Sequence, residues 1–209
     1  SKDPNEFLVE AFEKHIQWPI PLSQLQILSL AEGQGRNAVF LCEKFGHCVV
    51  GVDSSEVGCR KARMLAEQRK VQDRLETVCS DLEDFLSGCG RSFDVVVDVF
   101  SSLEGQKRKQ VLKHTGASLR AGGLYIAEAF HPRHQELGSR LGPKPDSLVS
   151  VAMLIEELSS DGSLFEIVYS AEKDIILSEG KFHRGKAFVS RLVARKKATG
   201  LPATAFRAV

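Results

Sequence analysis

No excess of charge of either sign marks this sequence: 28 basic residues stand against 27 acidic ones, for a formal net charge of +1. Without a global field neither nucleic acid nor an anionic membrane surface is recruited, so a small-molecule partner is the expectation. Long hydrophobic runs are missing as well. No apolar stretch approaches the ~20 residues that span a bilayer, and the N-terminus lacks a basic-then-apolar targeting pattern. The five cysteines, Cys42, Cys48, Cys59, Cys79 and Cys89, are odd in number and show no C-x-x-C pair or metal-ligand spacing. That argues against a disulfide framework and a metal site. It points instead to reduced thiols and a cytoplasmic location. Repeats, low-complexity blocks and interdomain linkers are absent too. What is present is a 209-residue chain, 43% hydrophobic, long enough for one core. Residues 1–198 are expected to form a single domain, monomeric or weakly dimeric, with 199–209 as a loose tail.

The chain alternates helical and extended patterns. Phe7, Leu8, Ala11, Phe12 and Ile16 recur at helical spacing, and Pro19 and Pro21 end that helix. Extended runs follow at Gln26–Ala31, Cys48–Val52, Leu75–Cys79, Phe93–Phe100 and Leu124–Phe130. Between them lie helices at Arg36–Phe45, Glu56–Lys70, Asp81–Leu86 and Glu104–Leu119. Five such alternations predict a parallel, doubly wound α/β sheet of Rossmann-like form. The last third differs. A helix over Leu148–Ser159 precedes two strands, Leu164–Leu177 and Lys186–Ala194, separated by the polar turn Ser178–Gly185. These two pair as an antiparallel hairpin, giving seven strands in all.

The sharpest local signal is Glu32-Gly33-Gln-Gly35-Arg36-Asn37-Ala38, directly after the first strand. Glycines permit a tight turn and close approach to a ligand, and the following helix aims free N–H groups at it. Asp53 lies 21 residues after Glu32, where a carboxylate with Ser54 beside it can accept ribose hydroxyls. The spacing Gly33-x-Gly35-x-x-Ala38 also satisfies a dinucleotide fingerprint, so an NAD(P)-dependent oxidoreductase stays open. Glu32 is a poor neighbour for a pyrophosphate and a good one for a sulfonium and an amino group. Asp81 after the third strand can accept from an adenine amino group, with Leu82 against the ring; it can equally cap a helix.

Acid-x-Gly-x-Gly after strand one, with acids after strands two and three, resembles the class I S-adenosylmethionine-dependent methyltransferases. More narrowly, Leu30–Ala38 with Val52-Asp-Ser-Ser55 is similar to the tellurite-resistance and thiopurine-type branch. Pro4-Asn5-Glu6-Phe7-Leu8 and Glu179-Gly-Lys-Phe-His183-Arg184-Gly185 resemble segments of the same branch. The resemblance implies S-adenosylmethionine as cofactor, with Glu32, Gly33 and Gly35 at its methionine end, Asp53 at the ribose and Asp81 at the adenine. It also implies Asp98 and Phe100 near the sulfonium and the N-terminal helix, within residues 1–21, over the cofactor. Asn37 departs from it, standing where many methyltransferases carry a third glycine.

Methyl transfer needs alignment above all, and a base only when the acceptor arrives protonated. Candidates at the strand ends are His131, His134 and Glu128, joined by His183 and Arg184 from the final turn. His131, His183 and Arg184 form the expected acceptor-side set, suited to a thiol or an oxyanion. His131 also reads as an ordinary loop histidine, and the basic runs Lys107–Lys109 and Arg195–Lys197 as a solvated face and tail. A domain that binds S-adenosylmethionine without turnover is a further alternative.

Overall fold

The computed structural model describes residues 3–16, 24–137, 143–179 and 183–198, with the backbone alone at 178, 179, 183 and 184. Its strands are β1 (Gln26–Leu30), β2 (Cys48–Asp53), β3 (Leu75–Cys79), β4 (Phe93–Val99), β5 (Leu119–Phe130), β6 (Phe165–Glu179) and β7 (His183–Lys196). They form one sheet in the order β3-β2-β1-β4-β5-β7-β6. β1 to β5 run parallel, and β7 runs antiparallel to both β5 and β6. The helices are α1 (Glu6–Glu10), α2 (Arg36–Phe45), α3 (Glu56–Gln68), α4 (Leu82–Gly88), α5 (Gly105–Ser118) and α6 (Val151–Leu158). The expected doubly wound sheet with its antiparallel hairpin is observed.

Strand pleating sorts the core into two layers. Ile27, Val49, Val95, Val97 and Ile126 point to the side covered by α1, α2 and α3. Leu28, Val50, Val96, Tyr125 and Leu192 point to the side covered by α4, α5 and α6. Both faces of the central strands are dry, which is why they read as unbroken apolar runs. Helix starts follow capping chemistry: Ser55 accepts from the Gly58 amide and Ser150 from that of Met153.

Several boundaries differ from the sequence expectation. α1 continues as a π-helical turn over Ala11–His15, short of the prolines, which lie outside the described residues. α6 starts at Val151 rather than Leu148, because Ser150 is its cap and Pro145–Ser147 forms a separate 3-10 turn. β5 begins at Leu119: Leu119 pairs with Phe93 before a register shift, so Gly122-Gly123 lies within the strand. The hairpin is longer at both ends than its apolar runs. Backbone pairing continues through Ser178↔Arg184 and Glu179↔His183, so His183 and Arg184 begin a strand rather than occupy its turn. The basic run on α5 is not uniformly solvated. Arg108 is buried, its guanidinium forming two bonds of 2.8 and 2.9 Å with Glu157 on α6. Lys196 likewise donates to the carbonyls of Gly116 and Leu119 at the end of α5, 2.7 and 3.0 Å away.

Candidate functional site

Sheet order reverses between β1 and β4, and ligands of open α/β sheets bind outside the carboxyl ends of strands at such a point. Three non-glycine residues there adopt left-handed backbone: Ala31 after β1 (φ 47°), and Phe100 and Ser102 after β4 (φ 52° and 53°). Such conformations cost about 1–3 kcal/mol each and persist only where their surroundings enforce them. Ser147 Oγ donates to the Ser102 carbonyl (3.0 Å), and the Phe100 amide donates to the Glu128 carbonyl (2.8 Å). The Asp98 carboxylate accepts from Ser101. The loop is thus fixed on three sides.

Across the switch point stands the glycine turn. Gly33 has φ +64°, and a Cβ built on it meets nothing within 4 Å, so the turn borders open space. Gly35 (φ +88°) is held for another reason: its Cβ would lie 2.8 Å from the Ala62 Cα, so it lets α2 pack on α3. Asp53 ends β2 beside the turn. Its Oδ2 accepts from the Gly33 amide and its Oδ1 from the Ser55 amide, both at 2.8 Å. A carboxylate oxygen retains a second lone pair, so Asp53 can accept further hydrogen bonds while holding the turn. Ser54 is exposed next to it.

Glu32 does not face the open space. It is buried, and its Oε1 accepts from the amides of Asn37 and Ala38 (3.1 and 3.0 Å) while Ser29 donates to Oε2. Burial pushes its carboxyl above the usual range, against those hydrogen bonds and Arg36. The consequence is chemical. Two first-turn amides of α2, those of Asn37 and Ala38, which a pyrophosphate would use, are already bonded to a protein carboxylate.

Of the two roles open to it, Asp81 fills the helix cap. It caps α4, accepting from the Glu83 amide at 2.9 Å, and its other oxygen is bound by Lys107 of α5, which holds its carboxyl below the usual range. An adenine amino group reaching Asp81 must share it with Lys107. Leu82 is turned into the core beside α4 and α5 instead of lying free for a ring. Asp98 is buried on the α5 side of the sheet, where the Tyr125 hydroxyl donates to it (2.7 Å) and burial raises its carboxyl. It meets the loop through Ser101, while Phe100 is half-buried, its ring 4.9 Å from that of Phe130.

His131 is less available than its position suggests. Its Nδ1 accepts from the Arg133 amide (3.0 Å), which places the proton on Nε2, 3.3 Å from the Glu172 carboxylate. Both nitrogens serve the protein, so His131 is a packed loop residue and not a ready base. His134 Nδ1 is approached by the Phe188 amide at 3.4 Å. The side chains of His183 and Arg184 lie outside the described residues. Their backbone is placed: Phe130, the end of β5, pairs with Val189, so residues 183–188 extend beyond the carboxyl edge of the sheet on the cleft side.

Glu128 and Asn37, named from sequence, join Glu10 and Arg191, which were not, in one network. The Asn5 amide donates to Asn37 Oδ1 (2.9 Å), and Asn5 Nδ2 donates to Glu128 Oε2 (2.6 Å). Glu128 also accepts from Arg191 Nε at 2.6 Å, and Arg191 lies 3.6 Å from Glu10 and over the Phe7 ring. Asn37, the departure from a third glycine, is thus the anchor for the N-terminal segment. Among the described residues no group of three or more His, Cys, Asp or Glu is arranged to hold a metal. No described helix is long and apolar enough to cross a membrane.

Comparison with known proteins agrees with this geometry. Residues 27–123 match the model of a methyltransferase domain family. A sarcosine/dimethylglycine N-methyltransferase of Halorhodospira halochloris is 30% identical over 100 residues, 48% of this chain and 36% of that protein. The chain thus spans about a third of the curated relative it matches. Among solved structures, TehB from Haemophilus influenzae superposes with a TM-score of 0.69 at 21% identity, over 92% of this chain and 62% of that one. A S-adenosylmethionine-dependent methyltransferase of Methanosarcina mazei gives 0.66 at 16% identity, over 93% and 99%. A protein solved in work on converting a disulfide bond into a thioacetal group during echinomycin biosynthesis gives 0.72 at 19% identity, over 95% and 83%. A methyltransferase domain is thus matched over residues 27–123, and the seven-stranded sheet is the fold of these solved structures.

Proposed function

We propose that the chain transfers a methyl group from S-adenosylmethionine to a small, electron-rich acceptor. The observation that carries this reading is the pairing of an open glycine turn with an oriented carboxylate, Gly33 and Asp53, beside a helix with two first-turn amides, Asn37 and Ala38, bonded to Glu32. A dinucleotide pyrophosphate would have to compete with Glu32 for the Asn37 and Ala38 amides, which disfavours the oxidoreductase alternative. When bound, S-adenosylmethionine supplies an electrophilic methyl carbon on a sulfonium. Gly33 and Gly35 are assigned to the methionine end, Asp53 and Ser54 to the ribose, and Asp81 to the adenine amino group. Asp98 and Glu32 shape the loops around it.

For the acceptor two chemistries compete. A thiol or oxyanion reading rests on His183 and Arg184, whose strand reaches past the sheet edge. An amine reading rests on the name of the curated relative. Calorimetry with S-adenosylhomocysteine, NAD and NADP tests the cofactor; binding of NAD or NADP alone would return the oxidoreductase reading. Asp53→Ala should weaken S-adenosylhomocysteine binding by roughly 1.5–3 kcal/mol, the scale of hydrogen bonds to a charged group. Labelled cofactor with small thiols, chalcogen oxyanions and secondary amines then separates the acceptors. With a thiol or oxyanion, His183→Ala and Arg184→Ala should each lower turnover while cofactor affinity stays within about threefold. No transfer to any of these, with intact cofactor binding, would favour a binding module.

A further inference from the structure

We propose that Cys59 and Cys79 are a reversible disulfide-forming site set against the ribose end of the cofactor cleft, and that closing the bond weakens cofactor binding. Cys59 is buried in the first turns of α3, with its Sγ 3.4 Å from the Asp53 carbonyl and 3.7 Å from the Val78 carbonyl. Cys79 is exposed at the end of β3, directly paired with Asp53 across the sheet, with its Sγ 3.9 Å from the Ser54 carbonyl. Leu75, two pleats earlier on the same face, packs in the layer that α3 covers, so Cys79 projects toward α3 as well. Both sulfurs lie against the Asp53–Ser54 backbone, which brings the two thiols alongside each other. A bond requires their sulfurs to close to about 2.05 Å, and the exposed partner is the one free to move.

Roles divide by exposure. Burial, then the neighbouring Cys79, push the Cys59 thiol up to about 11, so it does not initiate attack. With a small disulfide such as glutathione disulfide as oxidant, the Cys79 thiolate attacks one sulfur and expels one glutathione thiolate. Cys59 then loses its proton to water and attacks the Cys79 sulfur, expelling the second glutathione. Two protein thiols are oxidised to one disulfide, and one glutathione disulfide is reduced to two thiols.

The strain has a path to the cleft. Cys79 stands two residues before Asp81 and opposite Asp53, the two acids assigned to the cofactor. Cys59 follows Gly58, where an added Cβ would lie 2.9 Å from the Gly33 carbonyl, so the start of α3 packs on the glycine turn. Drawing Cys79 inward therefore shifts the strand end that positions both acids. This coupling rests on the cofactor assignment above, whereas formation of the bond does not.

The full chain is treated with glutathione disulfide and mapped by mass spectrometry without reduction. A Cys59–Cys79 linked peptide is expected, absent in Cys79→Ser and removed by dithiothreitol. Glutathione retained on Cys79, a different pair, or no modification would each overturn the site. Calorimetry then compares S-adenosylhomocysteine binding to the oxidised and reduced chains. A loss of about fivefold or more on oxidation is expected, reversed by dithiothreitol and not seen in Cys79→Ser. Equal affinity in both forms overturns the coupling. Failure of the reduced chain to bind overturns the cofactor assignment and the coupling with it, and the peptide map still decides the bond.

Discussion

Gly33 and Gly35 sit two residues apart, both with left-handed backbone, and their substitution should fail in different ways. A side chain at Gly33 enters open space, so Gly33→Val should leave a folded protein, destabilised by about 1–2 kcal/mol for its backbone, that no longer binds S-adenosylhomocysteine. A side chain at Gly35 meets α3 at 2.8 Å, so Gly35→Ala should lower the melting temperature further. Thermal denaturation with and without S-adenosylhomocysteine checks both; a cofactor-induced shift retained in Gly33→Val would mean the turn does not border the ligand. The sequence made these positions visible because glycine spacing after an apolar run is a backbone statement. It could not say which way Glu32 points. Its spacing fits a ligand contact and a helix-terminus contact equally, and the bonds it accepts from the Asn37 and Ala38 amides decide for the second.

Elements meet at the site through buried polar pairs, and here patterning was least informative. Asp98 in β4 and Tyr125 in β5 each stand among apolar neighbours along their strands, with nothing local to link them. Only the parallel register places them on neighbouring strands, where the Tyr125 hydroxyl meets the carboxylate. Arg108 was hidden in a run of three basic residues, and its partner Glu157 lies on a helix far along the chain. Asp98 yields a pH prediction. Burial raises its folded pKa, so stability is fully present below the unfolded carboxyl value and declines as pH rises through the folded one. Tyr125 opposes that rise by donating to the carboxylate. Tyr125→Phe should therefore raise the Asp98 value further and extend the declining window upward. The variant's deficit against the parent, read by urea denaturation over a pH series, should widen as pH rises above the ordinary carboxyl range and then level. A deficit independent of pH would mean that Tyr125 contributes packing alone.

At the scale of the whole molecule, the N-terminus and the antiparallel hairpin are locked together across the α1–α3 face. Glu128 is the hub: it joins Asn5, which holds Asn37 at the start of α2, to Arg191 of β7, which reaches Glu10. The sequence indicated a helix near the cofactor, because Pro4–Leu8 carries a recognisable segment. The lock itself was not legible, since its members come from four elements and only folding brings them within 3.6 Å. Glu128 is almost wholly buried, at 1% exposure, and Arg191 at 7%. Removing one member of such a pair leaves a charge in a dry setting, at a cost of about 3–5 kcal/mol. Glu128→Ala should therefore destabilise the chain by that order in urea denaturation. Glu128→Gln, which keeps an acceptor for one partner while losing the charge, should cost less. Because Asn5 and Asn37 transmit the lock to the helix that follows the glycine turn, both variants should also bind S-adenosylhomocysteine more weakly, in the order of their stability loss. If Glu128→Ala melts early yet binds with the parent's affinity at a temperature where both are folded, the N-terminal helix is a structural cover whose docking does not reach the cofactor.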